Sequence, residues 1–168
     1  MGVEKYHKIL DSSAFIGGYT PSDEKNYTIP EVTEELKDLK SRIFLEKSLE
    51  EGNLKIINPK REYIEKTEKL AEKSGDILRL SNTDKKIIAL TLQLKNEKRK
   101  VMMITDDYSI QNIMKILKVP FKAVITEGIN EIYQWEKICI GCKKRYPPEY
   151  PLTECEICGS RIIKKKRK

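Results

Sequence analysis

The stretch VMMITDDYSIQNIMKILKVPFKAVIT, residues 101–126, carries the main fold signal of this chain. It opens with an apolar run, continues as a helical pattern from Tyr108, and returns to a second apolar run after Pro120. The same alternation recurs earlier, with apolar runs at 6–10 and 54–59 and helical patterns at 31–49, 61–75 and 84–95. Strands that are apolar on both faces and alternate with helices predict an α/β fold with a parallel sheet flanked by helices.

The positive charge of the chain is concentrated near its C-terminal end. The net charge is +7, and residues 137–168 hold ten lysines and arginines against three glutamates, while the acidic and basic residues of 1–136 balance. Such a segment suits a polyanion such as nucleic acid, although the KKKRK sequence at 164–168 could also be a solubilising tail. Without a long apolar run or a signal-peptide pattern, we expect a cytoplasmic protein with no membrane partner, and we expect a monomer.

Acidic residues follow two of the predicted strands. Asp11 ends the run at 7–10, and Asp106 and Asp107 follow the run that starts at Val101. Ligands of open α/β sheets bind beyond the carboxyl ends of the strands, so we expect these carboxylates at one edge. The alternatives are structural: Asp11 could accept hydrogen bonds from the following turn, and Asp106 or Asp107 could cap the next helix.

A helix predicted from Glu31 to about Leu49 directs one glutamate inward. At about 100° per residue, Glu35 lies at the edge of the apolar stripe, whereas Glu34 lies opposite to it. The stripe consists of Val32, Leu36, Leu39 and Ile43. A rim position paired with a lysine is the alternative for Glu35.

The helix predicted over residues 84–95 carries an acid on its buried face. Asp84 falls on the face that is formed by Ile87, Ile88, Thr91 and Leu94. The preceding sequence SNT is a natural capping stretch. A role as a cap or as a partner of the helix dipole is therefore the alternative for Asp84.

The shared location of these carboxylates favours a metal site. Like charges converge in a poorly solvated pocket only with raised pKa values or with a cation. Oxygen ligands suit a hard divalent ion, and Mg²⁺ or Mn²⁺ fits best. Such ions lower the pKa of an attacking water and stabilise an in-line displacement at phosphorus. The single histidine, His7, has no evident partner, so the pattern favours phosphoryl chemistry over a histidine-based nucleophilic mechanism.

Four cysteines have the spacing of a zinc ribbon, C-x2-C-x12-C-x2-C. The ligands are Cys139, Cys142, Cys155 and Cys158. Four thiolates leave a zinc ion no open position, so we predict one structural zinc. Disulfides are the alternative, but the expected reducing compartment disfavours them.

The predicted ribbon is basic and is expected to bind RNA. Its candidate RNA-binding residues are Lys143, Lys144, Arg145 and Arg161. Trp135 and Tyr146 could add stacking surface for bases, or they could pack against the zinc knuckles.

Four motifs together resemble those of a PIN-domain nuclease: ILDSSAFI (9–16), IPEVTEELKDL (29–39), SNTDKKIIALTLQL (81–94) and VMMITDDYSIQNI (101–113). With the four-cysteine ribbon and the basic end, the chain resembles the Nin-one-binding endonuclease family in a compact archaeal form. The resemblance implies a PIN-like nuclease domain at 1–133, a zinc ribbon at 134–163 and a basic tail at 164–168. It also implies catalytic, metal-binding roles for Asp11, Glu35, Asp84 and Asp107, and the choice of Asp107 over Asp106 rests on the resemblance alone.

Members of that family mature the 3′ end of small-subunit ribosomal RNA. The resemblance therefore implies an endoribonuclease that uses Mg²⁺ or Mn²⁺ and cleaves precursor 16S-type rRNA in the pre-small ribosomal subunit. Two other functions stay open: a non-catalytic rRNA-binding assembly module whose acids are structural, and a toxin-type PIN ribonuclease.

Overall fold

The structure of the chain, a computed structural model, describes residues 5–21, 23, 25–77, 79–129 and 132–167. Its first sheet has five parallel strands in the order β3-β2-β1-β4-β5. The strands are β1 (His7–Leu10), β2 (Asn26–Thr28), β3 (Leu54–Ile56), β4 (Val101–Ile104) and β5 (Phe121–Lys122). Because β1 pairs directly with β4, the carboxyl ends of these two strands are adjacent, as predicted for the acidic edge.

Helices alternate with these strands and cover the sheet. They are α1 (Ser12–Ile16), α2 (Pro30–Glu35), α3 (Leu39–Glu50), α4 (Arg61–Ser74), α5 (Asn82–Asn96) and α6 (Tyr108–Ile116). The helix α5 packs its predicted face into the core, which includes the fully buried Ile87 and Ile88. The predicted α/β class is therefore confirmed. Within the described ranges, no helix has both the length and the apolar character that a membrane span requires.

The single helix predicted over residues 31–49 is wrong, because the chain forms two helices there. Leu36 leaves the helical conformation with φ −76° and ψ 98°, and Asp38 then caps α3. Leu39 and Ile43, two members of the predicted apolar stripe, are 73% and 52% exposed. The first half of the stripe is buried as expected, whereas the second half faces solvent.

A second, antiparallel sheet follows the first. Its strands, in the order β7-β6-β8, are β6 (Trp135–Cys139), β7 (Arg145–Tyr146) and β8 (Ile162–Lys166). The expected basic tail at 164–168 is thus corrected in part, since Lys164, Lys165 and Lys166 belong to β8 and pair with β6. The predicted domain boundary after residue 133 falls between the two sheets and stays a prediction.

The ribbon packs against the loop that ends α4. Gly75 adopts a left-handed conformation, with φ +78°, and a Cβ there would lie 2.8 Å from Trp135 Cβ and 2.9 Å from Pro148 Cβ. Both the backbone conformation and the close approach therefore require glycine. The next residue, Asp76, is buried and accepts a hydrogen bond from the indole Nε1 of Trp135 at 3.0 Å.

Candidate active site and metal centre

Asp11 lies directly after β1 and is only 4% exposed. Its Oδ1 accepts a hydrogen bond from Ser12 N at 2.7 Å. Its Oδ2 accepts hydrogen bonds from Ser13 Oγ at 3.0 Å and from Thr105 Oγ1 at 2.9 Å. Burial raises the pKa of this carboxyl, the hydrogen bonds oppose that effect, and the charge of Asp84 raises the pKa further. The carboxylate is therefore oriented by donors and repelled by a second acid.

Asp84 combines a structural and an electrostatic role. It closes a capping box on α5: Ser81 N donates to Asp84 Oδ2 at 2.7 Å, and Asp84 N donates to Ser81 Oγ at 3.1 Å. Desolvation is the main cause of its raised pKa, and the charges of Asp107 and Glu35 also raise it. The capping alternative is thus correct in part, yet it occupies only one carboxylate oxygen. Besides Ser81, no described residue donates a hydrogen bond to the carboxylate of Asp84.

Asp107 caps α6 with one oxygen. Its Oδ1 accepts hydrogen bonds from Ser109 N at 2.7 Å and from Ile110 N at 3.1 Å. In the described part of the chain, Oδ2 receives no such bond. Asp84 and Asp107 therefore share a pattern in which one carboxylate oxygen accepts backbone N–H groups at a helix N-terminus.

Asp106, its neighbour, is committed to a loop. The two carboxylate oxygens accept hydrogen bonds from the backbone N–H groups of Val124, Ile125 and Thr126 and from the Thr126 hydroxyl. These bonds lower the pKa of Asp106 against the opposing effect of burial. The loop also shortens the strand predicted at 121–126, because β5 ends at Lys122. Asp106 thus uses both carboxylate oxygens in structural hydrogen bonds, whereas Asp107 uses one.

Glu35 ends α2 and is exposed. The prediction that Glu35 points inward from the edge of an apolar stripe is therefore wrong. The stripe that supported this prediction does not continue beyond Leu36. Its charge nevertheless reaches the cluster, since it contributes to the raised pKa of Asp84. Glu35 therefore stands at the solvent side of the acidic edge.

Two hydroxyl residues that sequence reasoning did not single out join the ends of β1 and β4. Thr105, fully buried, donates to Asp11 and accepts a hydrogen bond from Asp107 N at 3.0 Å. Ser13 donates to Asp11 and accepts from Asp106 N at 2.9 Å. A hydroxyl residue beside an acid at each of two strand ends is the signal that could have revealed this link.

The four carboxylates supply oxygen ligands of the type that suits a divalent cation, although within the described residues only the four cysteines form a group of three or more ligand atoms within 4.8 Å of one another. Asp84 is the residue that connects the carboxylates electrostatically. It interacts electrostatically with Asp11, Glu35 and Asp107, and two of the four groups have raised pKa values. Such repulsion is relieved when a hard cation with oxygen ligands binds among the carboxylates. The donors here are carboxylate oxygens only, the preferred ligand type of Mg²⁺ and Mn²⁺.

The four cysteines converge as predicted. The sulfurs of Cys139, Cys142, Cys155 and Cys158 all lie within 4.8 Å of one another. The Cys139–Cys158 and Cys142–Cys155 sulfur pairs are 3.4 and 3.5 Å apart, near the ~3.8 Å expected around a tetrahedral zinc with 2.3 Å bonds. Hydrogen bonds from Ser160 lower the pKa of Cys158 to about 5, whereas contacts with the other thiols raise the pKa of Cys142 to about 11. The donor set therefore fits one zinc ion.

The candidate RNA-binding side chains of the ribbon differ in their surroundings. Lys144 pairs with Glu156, and Arg145 lies 3.6 Å from Glu136. Lys143 donates to the carbonyl of Ile140. Arg161, exposed, forms a backbone bridge to Glu154.

Tyr146 packs inside the ribbon and does not present its ring to solvent. It is 5% exposed, and its hydroxyl lies 3.0 Å from Cys155 Sγ. The packing alternative is therefore correct for Tyr146. Trp135 is half-buried beside the loop after α4.

Comparison with known proteins identifies the family of this chain. The family described as the PIN domain of ribonuclease matches residues 9–94. Endoribonuclease Nob1 of Methanothermobacter thermautotrophicus is 48% identical over 96% of this chain and 94% of its own length. Endoribonuclease Nob1 of Methanocaldococcus jannaschii is 44% identical over 96% of this chain and 82% of its own length. The 20S-pre-rRNA D-site endonuclease nob1 of Schizosaccharomyces pombe is 38% identical, over 54% of this chain and 24% of that protein. The family expected from the motifs is thereby confirmed: the chain belongs to the Nob1 endoribonucleases, enzymes with a PIN domain.

Proposed function

We propose that this endoribonuclease requires Mg²⁺ or Mn²⁺ and cleaves precursor small-subunit ribosomal RNA near its 3′ end. The substrate class is supported by the name of the Schizosaccharomyces pombe relative, a 20S-pre-rRNA D-site endonuclease. The metal requirement is supported by the acidic edge of the sheet. The single observation that carries it is the adjacency of the carboxyl ends of β1 and β4, where Thr105 donates a hydrogen bond to Asp11 and accepts one from the backbone of Asp107.

In this proposal four acidic side chains hold one or two divalent ions. The four side chains come from different parts of the fold. The ligands are Asp11, Glu35, Asp84 and Asp107. When bound, the ion supplies an acidified water nucleophile and stabilises the negative charge of the in-line transition state at phosphorus. Thr105 and Ser13 hold Asp11 in one orientation through their hydroxyl groups. The exposed Glu35 lies where the RNA strand would reach the site from solvent.

The zinc ribbon in this proposal binds RNA and positions the cleavage site. Its basic side chains, Lys143, Lys144, Arg145 and Arg161, would neutralise phosphates in a salt-dependent manner. The lysines of β8 add charge on a rigid strand. Zinc would hold the two knuckles together and take no part in cleavage, because four thiolates leave no open position.

The test is cleavage of an RNA that spans the 3′ end of the small-subunit rRNA, with Mn²⁺ and with a chelator. Cleavage should require Mn²⁺, and Asp11→Asn should bind the RNA normally without cutting it. Two neighbouring glutamates offer a matched pair: Glu35→Gln should lose cleavage, whereas Glu34→Gln, also exposed, should keep it. Unchanged cleavage by Asp11→Asn, or equal effects of the two glutamine variants, would contradict the proposed acidic site.

A further inference from the structure

A cavity of about 250 Å³ lies between the start of α6 and the zinc ribbon. Its lining includes Tyr108 and Ser109, the two residues directly after Asp107, and Tyr133 and Trp135 from the start of the ribbon. The cavity thus adjoins the acidic edge of the sheet on one side and the ribbon on the other. A strand of RNA held by both would pass this place.

Hydrogen bonds of buried groups connect the walls of the cavity. Asp76 fixes Trp135 through the indole Nε1 and also accepts a hydrogen bond from Asn112 Nδ2 at 2.9 Å. Asn112 and the backbone of Tyr133 exchange two hydrogen bonds, of 2.6 and 2.8 Å. Asn112 and Asp76 are both buried. The side chains of a preformed site lose little conformational entropy when a ligand binds, so less of the binding free energy is spent on ordering them.

Cations face the aromatic rings of this cavity. The guanidinium carbon of Arg79 lies 3.9 Å from the centroid of the Trp135 ring, and Lys166 Nζ lies 3.7 Å from that of Tyr133. Arg79 is exposed, and in the described ranges it forms neither an ion pair nor a side-chain hydrogen bond. Its five N–H donors are therefore available to an anion.

Tyr108 supplies a further aromatic surface. Its side chain is 52% exposed at the first position of α6. No described residue makes a ring contact or a side-chain hydrogen bond with it. An exposed aromatic ring next to unpaired guanidinium donors has the composition of a site for single-stranded nucleic acid, in which bases stack and phosphates contact cations.

We infer that this cavity binds one unpaired nucleotide of the RNA strand next to the cleavage site, with the base against Tyr108 and its phosphate against Arg79. The inference rests on the proposed function, because it places this nucleotide beside the carboxylates that would cut the strand. It assigns to Tyr108 and Arg79 a role in positioning the substrate. It also assigns to Asp76 and Asn112 the task of holding the two walls together.

Trp135 is the only tryptophan of the chain, so its fluorescence reports on this cavity. The test uses the full zinc-loaded chain with Asp11→Asn, which prevents cleavage, and a single-stranded oligoadenylate of about eight nucleotides. Titration should change the fluorescence of Trp135 and saturate. In the Asp11→Asn chain, the further change Tyr108→Ala should weaken oligoadenylate binding about 5- to 150-fold. Tyr108→Phe in the same chain should keep the parent affinity.

Two matched controls separate this site from general effects. Tyr6→Ala removes a partly exposed tyrosine before β1, at the opposite edge of the sheet, and should leave affinity unchanged. Arg79→Gln should weaken binding and reduce its salt dependence, whereas Arg42→Gln, on the exposed face of α3, should not.

An oligoadenylate series with one base removed at a time gives the sharpest result. At one position, loss of the base should weaken binding to the parent protein but not to Tyr108→Ala, as expected of two groups in contact. Constant Trp135 fluorescence during RNA binding measured by anisotropy, or equal affinities of Tyr108→Ala and its parent, would overturn the inference. If the chain with Asp11 intact still cut its rRNA substrate with Mn²⁺, the proposed function would remain; absence of all cleavage would reject that function instead.

Discussion

The hydroxyl of Thr105 donates a hydrogen bond to Asp11 Oδ2 at 2.9 Å and accepts one from the backbone N–H of Asp107 at 3.0 Å. One buried side chain thus connects acids that follow two different strands. The hydroxyl sets the orientation of Asp11 and the start of α6 together. The relative position of the two carboxylates therefore depends on a residue that is not itself an acid.

Replacement of Thr105 by valine should impair both stability and cleavage. The change removes the hydroxyl from a fully buried position, at a cost of about 1–3 kcal/mol in the free energy of unfolding. The hydrogen bond from Thr105 lowers the pKa of Asp11, so its loss should raise that pKa and move the acidic limb of the pH–rate profile to higher pH. Urea unfolding and cleavage rates against pH check this. Thr105→Ser, which keeps the hydroxyl, should show neither effect, and an unshifted limb in Thr105→Val would contradict the link.

Neutralisation of Asp84 should stop cleavage without destabilising the fold. Its pKa in the folded chain is raised, so ionisation of Asp84 weakens folding as the pH rises from the unfolded pKa through the folded one. At neutral pH, Asp84→Asn should keep or raise the melting temperature measured without divalent metal, because the repulsion disappears and asparagine can still accept the hydrogen bond from Ser81.

Asp38, the cap of α3, is a control whose pKa shifts on folding in the opposite direction to that of Asp84. Hydrogen bonds from Ser41 lower its pKa, so its stabilising contribution is present above the unfolded pKa and is lost as the pH falls through the folded pKa. Asp38→Asn should lower the melting temperature at neutral pH and leave cleavage intact. A large fall in the melting temperature of Asp84→Asn would show that Asp84 is mainly structural.

Serine at position 107 should separate the capping role of Asp107 from its proposed metal-binding role. Serine is among the preferred N-cap residues, so Asp107→Ser should preserve the start of α6 and the free energy of unfolding within about 0.5 kcal/mol. Cleavage should nevertheless be lost, because the carboxylate oxygen that would bind the metal is gone. Full activity of this variant would remove Asp107 from the proposed ligand set.

Replacement of Asp106, unlike that of Asp107, should lower stability and leave metal binding intact. Asp106→Ala removes the acceptor for the backbone N–H groups of residues 124–126, which should cost about 1–3 kcal/mol of unfolding free energy. Since the folded pKa of Asp106 is lowered, its contribution to stability should fade as the pH falls through that value. Metal affinity, measured by Mn²⁺ titration, should change little. Loss of Mn²⁺ binding with unchanged stability would reverse the assignment of the two aspartates.

Alanine at position 141 should weaken zinc binding. A Cβ on Gly141 would lie 2.5 Å from Ser160 Oγ, 3.0 Å from Ser160 Cβ and 3.2 Å from Cys158 Sγ. The new methyl group must displace the knuckle that carries Cys158, so the apparent zinc affinity in a chelator competition should fall. Ser160→Gly in the same chain removes two of the three close atoms and should restore part of the affinity. If Gly141→Ala retained full zinc affinity, the close approach would be unimportant.

Local sequence patterns were sufficient where the structure depends on local geometry. The cysteine spacing predicted that four sulfurs converge, and the alternation of apolar runs with helical patterns predicted a parallel sheet. Asp11 and Asp107 follow strands that turned out to be neighbours. Each of these inferences uses residues that are close in sequence or a general rule for parallel sheets.

The errors came from structure that such patterns do not encode. The periodicity around Glu35 continued across Leu36, but the backbone breaks there and redirects the apolar positions that follow. The role of Asp106 depends on N–H groups about 20 residues away, in a loop that resembled a strand. The strand at the C-terminal end looked like a tail because its lysines gain their order from pairing with β6.

The pairing of β8 with β6 affects how shortened forms of this enzyme can be interpreted. A truncation before Ile162 would delete not only five positive charges but also the longest neighbour of β6, which pairs with it through five residues. Weakened RNA affinity in such a form would mix lost charge with a disrupted fold. Replacement of individual lysines by glutamine on an intact strand would isolate the contribution of charge.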